Sequence, residues 1–225
     1  MVSVASAQVT PLKQVEVNLL MEPGSNVPSW YRGAPLPTLE SKTRVSAFIF
    51  LNGKKLPPGN FTYSWTIDGN LDRIASGKGK ESISYAFPKS KGSASAIQVE
   101  VLDTKNKLRG KGEILINPRI PEVLIYEKSS SGPITARAIK NKTMGPGSKF
   151  EIKAVPFFMN ASSFENLNFR WNFDGLEIPA DPTEPNVFLV KSNSGSSGSA
   201  LLNLIVNNLK SVLEEARASL NIYAQ

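Results

Sequence analysis

Few kinds of side chain in this sequence could do chemistry. Its 225 residues include no histidine and no cysteine. A Ser-His-Asp triad, a thiol nucleophile, a zinc–thiolate site and a disulfide are therefore excluded. Carboxylates, lysines and hydroxyls remain, and the one adjacent acidic doublet is Glu214-Glu215. Neighbours on a strand point to opposite faces, so this pair cannot flank one glycosidic bond. We predict no catalytic residue, no cofactor and no enzyme.

Carboxylates also stand near two turns, as the pairs Asp68 with Asp72 and Asp174 with Glu177. Calcium takes about six to eight oxygen ligands, usually with several carboxylates converging. Two carboxylates per turn make a poor calcium site, and aspartate is favoured in turns for its own hydrogen bonding. We therefore predict no metal ligands and keep a calcium-binding domain only as a weak alternative.

An aromatic and basic cluster, Trp30-Tyr31-Arg32, lies in a stretch flanked by Pro28 and Pro35. Aromatic rings beside arginine on an extended segment are typical of binding hot spots. We therefore name these three residues as a candidate partner-binding site. The alternative is that the segment crosses between sheets and its rings cover an open sandwich edge.

Positive charge is concentrated in the first half of the chain. Of the net charge of +7, residues 1–117 carry +6, from 15 basic and 9 acidic residues. One basic loop has Lys105, Lys107, Arg109 and Lys111. Such loops could contact an anionic glycan, whereas the alternative is that lysines keep strand edges soluble. The basic residues follow no nucleic-acid-binding motif, so we predict no nucleic-acid partner.

Strands must position these candidates. Residues 61–69 and 167–175 match at a constant offset of 106, and both segments alternate bulky and polar residues. Period-two alternation around a tryptophan is typical of a half-buried central strand. Asp-Gly follows in both copies and favours a tight turn with positive φ. We predict that the core-facing residues are Tyr63, Trp65, Phe169 and Trp171.

The repeat continues in the same order over about 100 residues, the usual size of a β-sandwich domain. The sequence therefore predicts an all-β protein of two tandem immunoglobulin-like (PKD-like) β-sandwich domains. Their predicted bounds are 14–117 and 118–225, joined by a short, stiff linker containing Pro118 and Pro121. The repeat also predicts a final strand at 212–222, although residues 212–218 are rich in helix-forming residues.

The two copies resemble the PKD/immunoglobulin-like superfamily, in which a central aromatic-x-Trp strand ends in an acidic-glycine turn. The matching residues are Tyr63, Trp65, Asp68 and Gly69 in the first copy, and Phe169, Trp171, Asp174 and Gly175 in the second. The stretch 27–37 is similar to one in uncharacterised exported tandem-domain proteins of small-genome candidate-phylum bacteria. The resemblance implies an extracytoplasmic location and binding or scaffold roles, sometimes beside pilus or secretion machinery. It brings no catalytic residues.

The first 13 residues are interpreted as a signal-peptide remnant or a flexible N-terminus, because Ala5-Ser6-Ala7 matches a small-x-small cleavage pattern. No apolar run approaches the ~20 residues that cross a bilayer, so no transmembrane segment is predicted. An exported chain without cysteine suits a bacterial or archaeal envelope. We expect a secreted, periplasmic or cell-surface location.

These observations predict a non-catalytic exported structural or binding module, for adhesion or scaffolding, that engages a protein or an anionic glycan at the cell envelope. The alternative is an accessory subunit of a pilus or secretion apparatus, which would use an exposed strand edge. A carbohydrate-binding module is the weaker alternative.

Overall fold

The computed structural model describes residues 11–87, 94–129, 134–161, 163–195 and 197–225. The signal-peptide interpretation rests on Ala5-Ser6-Ala7, which lies outside the described residues. The chain divides into two compact units. Unit 1 comprises the chain up to Pro23 and Lys42–Pro118, and unit 2 comprises Gly24–Ser41 and Arg119–Gln225.

Unit 1 is a sandwich of two sheets. One sheet has the order β1-β10-β9-β5-β6 with β7 also on β5, and the other has β2-β3-β4 with β8 also on β3. A 3₁₀ turn, Pro58–Asn60, precedes β5. The strands are β1 (Lys13–Gln14), β2 (Glu16–Glu22), β3 (Lys42–Leu51), β4 (Lys54–Lys55), β5 (Thr62–Ile67), β6 (Asn70–Leu71), β7 (Gly77–Lys78), β8 (Ser82–Ala86), β9 (Ser95–Asp103) and β10 (Leu108–Ile116).

Unit 2 is also a sandwich of two sheets, with the orders β12-β11-β14-β17 and β13-β19-β18-β15-β16. A 3₁₀ turn, Phe164–Asn166, precedes β15. The strands are β11 (Glu122–Lys128), β12 (Ile134–Ala138), β13 (Asn141–Met144), β14 (Lys149–Phe157), β15 (Leu167–Phe173), β16 (Leu176–Ile178), β17 (Val187–Lys191), β18 (Gly198–Asn208) and β19 (Ser211–Ala224).

The predicted fold class is confirmed: the chain forms two consecutive immunoglobulin-like β-sandwiches. In both units a short strand runs parallel to the last strand, β1 beside β10 and β13 beside β19, while the other ladders are antiparallel. The inward-facing side chains of the two sheets form each core.

A tryptophan on the central strand fills each core. The side chains of Trp65 and Trp171 are completely buried. The indole N–H of Trp65 donates to the Lys80 carbonyl at 2.9 Å, and that of Trp171 donates to the Pro185 carbonyl at 2.9 Å. Each acceptor lies just before a strand of the opposite sheet, so the same hydrogen bond ties the two sheets together in both copies.

The Asp-Gly turns join the central strand to its hairpin partner as the sequence predicts. Asp68 and Gly69 have φ of 50° and 81°, and Asp174 and Gly175 have φ of 48° and 89°. Two positive φ values match the type I′ hairpin turn. The Asp68 carboxylate accepts the Ala96 N–H at 2.9 Å, and the Asp174 carboxylate accepts the Leu201 N–H at 2.7 Å. These aspartates therefore also hold the central strand to its neighbour.

The last strand of each unit forms where the sequence predicts it, including the helix-prone segment of β19. In unit 1, β10 passes so close to Val15 and β2 that side chains at two of its glycines would crowd their neighbours. A Cβ on Gly110 would lie 2.7 Å from Val15 Cγ2 and 2.8 Å from the Val15 carbonyl oxygen. A Cβ on Gly112 would lie 3.0 Å from Val17 Cγ1.

The structure differs from the sequence expectation for residues 24–41. The sequence placed this stretch within the first sandwich, but it packs as part of unit 2. The reason is that one sheet of unit 2 has an apolar outer face, which the aromatic side chains of residues 24–41 cover, as described below. The boundary expected between residues 117 and 118 stays a prediction.

We expect Gly110→Ala to lower the free energy of unfolding of unit 1 by about 1–3 kcal/mol, because the added methyl group overpacks against Val15. Gly59→Ala is the matched control, since nothing lies within 4 Å of a Cβ there. Urea unfolding of both variants measures the difference. Equal stability of the two variants would contradict the close approach of β10 and β2.

Tyr63→Phe is expected to raise the free energy of unfolding of unit 1 by about 1 kcal/mol. The Tyr63 hydroxyl is buried and has no hydrogen-bond partner among the described residues, and Phe169 occupies the equivalent place in unit 2. Burial, with a smaller effect of Glu81, raises the pKa of Tyr63 to about 12. As pH rises above the ordinary tyrosine pKa near 10, the unfolded chain ionises this hydroxyl more readily than the folded protein does, so the wild type loses stability until pH reaches about 12.

The measurement is urea unfolding of wild type and Tyr63→Phe at pH 7 and pH 11. The wild type should lose more stability between the two pH values than the variant. A variant that is markedly less stable at pH 7 would show that the hydroxyl has a partner in solution.

Candidate functional site

One sheet of unit 2 is apolar on both of its faces. Its inner face contributes Val123 and Ile125 of β11 to the core. Its outer face carries Tyr126 of β11 and Val155 and Phe157 of β14, which are buried as well. A sheet face that is apolar and lies away from the sandwich core has to be covered by another part of the chain or by a partner.

Residues 24–41 provide this cover and are called the covering segment below. Val27, Tyr31 and Leu36 of the segment pack against the cluster that contains Tyr126 and Phe157. The covering segment therefore acts as a third layer on unit 2, outside the two sheets of the sandwich.

Edge-on ring contacts fix the aromatic part of the cover. The Trp30 ring meets Tyr126 at 5.9 Å and Phe157 at 5.8 Å between centroids, with interplanar angles of 82° and 81°. The Tyr31 ring meets Phe157 at 5.6 Å and Phe158 at 6.0 Å, again nearly perpendicular. Such edge-to-face pairs add about 0.5–1.5 kcal/mol each beyond area burial.

Backbone hydrogen bonds attach both ends of the covering segment. The Asn26 N–H donates to the Met159 carbonyl at 2.8 Å, and the Phe158 N–H donates to the Asn26 carbonyl at 2.7 Å. At the other end, the Arg119 N–H donates to the Pro37 carbonyl at 2.7 Å. Between these attachments the segment is held to unit 2 chiefly by its rings.

Two backbone positions suit this packing. Phe158 has φ of 58°, which is unusual for a bulky residue and turns its ring into the cluster. Gly33 passes over the Tyr31 ring, where a Cβ would lie 2.5 Å from the ring carbon Cζ. A side chain at position 33 would therefore displace the ring that anchors the segment.

The three residues predicted as a partner site have different surroundings. Tyr31 is half-buried and anchors the segment. Trp30 is 51% exposed although two rings hold it, and Arg32 is exposed. The structure thus places one aromatic anchor between two residues that face solvent.

The basic loop of unit 1 is a hairpin between β9 and β10. Lys105 and Lys107 lie in its turn, where the buried Asp103 carboxylate accepts the Asn106 N–H at 3.1 Å. Hydrogen bonds from Asn106 lower the pKa of Asp103. Arg109 and Lys111 project outward from β10, opposite the two tightly packed glycines. The four basic residues are exposed, and Glu100 lies directly across the ladder from Lys111.

The turn aspartates are engaged in backbone hydrogen bonds. Asp68 and Asp174 bind backbone N–H groups as described, and Asp72 accepts the N–H groups of Ile74 and Ala75, each at 2.9 Å. Among the described residues no cluster of three or more carboxylates could hold a metal ion. The part of the chain that the structure describes also contains no helix long and apolar enough to cross a membrane.

Glu214 and Glu215 point to opposite sides of β19, as the alternation predicts. Glu214 is buried, and its carboxylate accepts the Asn160 N–H at 2.7 Å and an Asn208 side-chain N–H at 2.6 Å. Burial raises the pKa of Glu214, with a smaller contribution from the charge of Glu40 in the covering segment. The carboxylate therefore joins the loop after β14 to the β18–β19 hairpin.

Sequence reasoning did not identify the partners of the cover, Tyr126, Phe157 and Phe158. A signal was present, because β11 and the end of β14 have apolar residues at both alternating positions. A strand that is apolar on both faces is buried on both faces. The sequence does not show which segment covers it.

No protein-family model matches the chain, and no curated protein matches it. A Bacteroides ovatus structure, the mixed-linkage glucan utilization locus protein SGBP-B with a mixed-linkage heptasaccharide, aligns with a TM-score of 0.28 and 11% identity, over 93% of this chain and 70% of that one. Dimeric latent PorU from Porphyromonas gingivalis aligns with a TM-score of 0.29 and 12% identity, over 96% and 24%. Sidekick-1 immunoglobulin domains 1–4 align with a TM-score of 0.29 and 11% identity, over 97% and 73%. Such low TM-scores assign this chain no partner and no activity.

We expect Glu214→Gln to change how the stability of unit 2 depends on pH. The folded-state pKa of Glu214 is raised. Its contribution to the stability of unit 2 is therefore greatest below the ordinary glutamate pKa near 4.5, and it declines as pH rises through the pKa of the folded protein. Urea unfolding from pH 4 to pH 8 should show a smaller decline for the variant than for wild type. Parallel curves would mean that Glu214 titrates normally in the folded protein.

Proposed function

We propose that this protein is an exported, non-catalytic binding module that engages a protein or glycan partner at the cell envelope through the exposed part of the covering segment. The partner-binding residues are Trp30 and Arg32, and Tyr31 is the anchor that positions them. The location is extracytoplasmic.

The observation that carries this proposal is the state of Trp30. Among the described residues, Trp30 is the most exposed aromatic side chain, at 51%. Its contacts with Tyr126 and Phe157 nevertheless hold the ring in one orientation. A ring that is fixed before binding loses little conformational entropy on binding, and this favours affinity.

The chemistry of the described residues supports a non-catalytic role. The buried carboxylates Glu214 and Asp103 both accept hydrogen bonds, and the turn aspartates bind backbone N–H groups. An exposed tryptophan beside an arginine, on a segment with three prolines, is the arrangement that a recognition surface uses.

The test compares retention of envelope material on immobilised wild-type protein with retention on Trp30→Ala. We expect the variant to lose most of its captured partner while unit 2 unfolds within about 1–2 kcal/mol of wild type, because half of the ring is exposed. Phe164→Ala is the matched control: Phe164 is 45% exposed, but it stacks at 5.2 Å on Phe169 of the sandwich core and not on the rings under the covering segment.

Tyr31→Ala separates the anchor from the contact residues. It should destabilise unit 2 by about 3 kcal/mol and weaken capture through loss of the cover. Unchanged capture by folded Trp30→Ala would reject the proposed surface. Captured material made of pilus or secretion components would favour the alternative of an accessory subunit.

A further inference from the structure

The proposed binding surface has a charge pattern that points to a class of partner. We propose that Trp30, Arg32 and Lys153 together bind an acidic saccharide, a polymer of sugars that carry carboxylate groups. The inference rests on the proposed function and names the partner of the same surface.

Trp30 supplies the stacking face. Its ring plane is nearly perpendicular to the Tyr126 and Phe157 rings, and about half of its surface is exposed. An exposed indole ring can stack on the flat C–H face of a pyranose ring. The neighbouring apolar surface on β11 and β14 is covered by Val27, Tyr31 and Leu36, so the exposed apolar area is narrow.

A narrow site fits a sugar chain better than a protein. A stable protein interface buries about 1,600 Å² in total and has an apolar core. Here the covering segment already occupies the apolar face of the sheet. The part left for a partner is one ring with charged neighbours.

Two cations, Arg32 and Lys153, have no ion-pair partner among the described residues. Arg32 is exposed two residues after Trp30. Lys153 is the direct cross-strand neighbour of Tyr126, so both side chains rise from the same face, about 5 Å apart at Cβ. Arginine binds a carboxylate in bidentate fashion, and lysine adds a second positive charge.

Two other lysines near this sheet are already engaged. Lys128 pairs with Glu151 at 3.4 Å and Glu184 at 3.2 Å. Lys142 pairs with Glu127 at 2.8 Å. Glu122 lies across the ladder from Phe157 and is the negative charge that an acidic ligand would meet there. The free charge beside Trp30 is therefore positive on balance.

The probe is an oligogalacturonate, and the matched ligand is the same oligomer fully methyl-esterified, which keeps the ring and removes the charge. Isothermal titration at low salt should show binding of the acid and at least tenfold weaker binding of the ester. Affinity for the acid should fall as salt rises.

The variants assign the effect to named residues. We expect Trp30→Ala to lose about tenfold in affinity, and Arg32→Gln and Lys153→Gln about fivefold each. Glu122→Gln should strengthen binding about twofold, because it removes a repelling charge. Lys105→Gln with Lys107→Gln, on the unit 1 hairpin, should change nothing.

The remaining outcomes overturn the inference in distinguishable ways. Equal binding of acid and ester shows a neutral-sugar site, and dependence on Lys105 and Lys107 shows that the hairpin attracts the probe. No binding of either probe, with capture of a protease-sensitive partner that still requires Trp30, shows a protein partner and leaves the proposed function standing. Capture of a partner that does not require Trp30 contradicts both the acidic-saccharide inference and the proposed binding surface.

Discussion

The hydrogen bond from each buried indole to a carbonyl of the opposite sheet is the constraint on which the rest of the structure depends. Trp65 and Trp171 reach Lys80 and Pro185 at the same distance, 2.9 Å, although the two halves otherwise differ widely in sequence. A buried indole N–H without an acceptor costs about 1–3 kcal/mol. The same hydrogen bond therefore joins the two sheets in both units, whereas the outer surfaces of the units differ.

The outer faces of the two units show how far this variation goes. In unit 1, β3 turns through Asn52-Gly53 into β4, and the Lys55 ammonium lies 4.4 Å from the Phe48 ring centroid. In unit 2, the covering segment instead lies over the corresponding face. A cation can shield a ring while remaining hydrated, whereas the larger apolar face of unit 2 needs a covering layer. The site with exposed Trp30 is a product of that need.

Much of the fold was predictable because its signals are local. Period-two alternation around Trp65 and Trp171 predicts the central strands, and Asp-Gly predicts their turns. Comparison of the copies overrides the helix propensity of β19, because the counterpart β10 contains Gly110 and Gly112. The packing of Trp30 on Phe157 was not predictable, since a contact between residues 127 positions apart leaves no local pattern. The burial of Glu214 depends in the same way on Asn160 and Asn208.

The course of the chain also affects the order in which the protein can form during synthesis. The covering segment emerges before most of unit 1, but β11 and β14, which it covers, emerge more than 80 residues later. Until then, Trp30 and Tyr31 have no place to pack, and nascent chains with exposed aromatic side chains tend to aggregate. The prolines around them favour an extended covering segment and remove backbone N–H groups that strand pairing needs. This lowers the risk of aggregation before β11 and β14 are made.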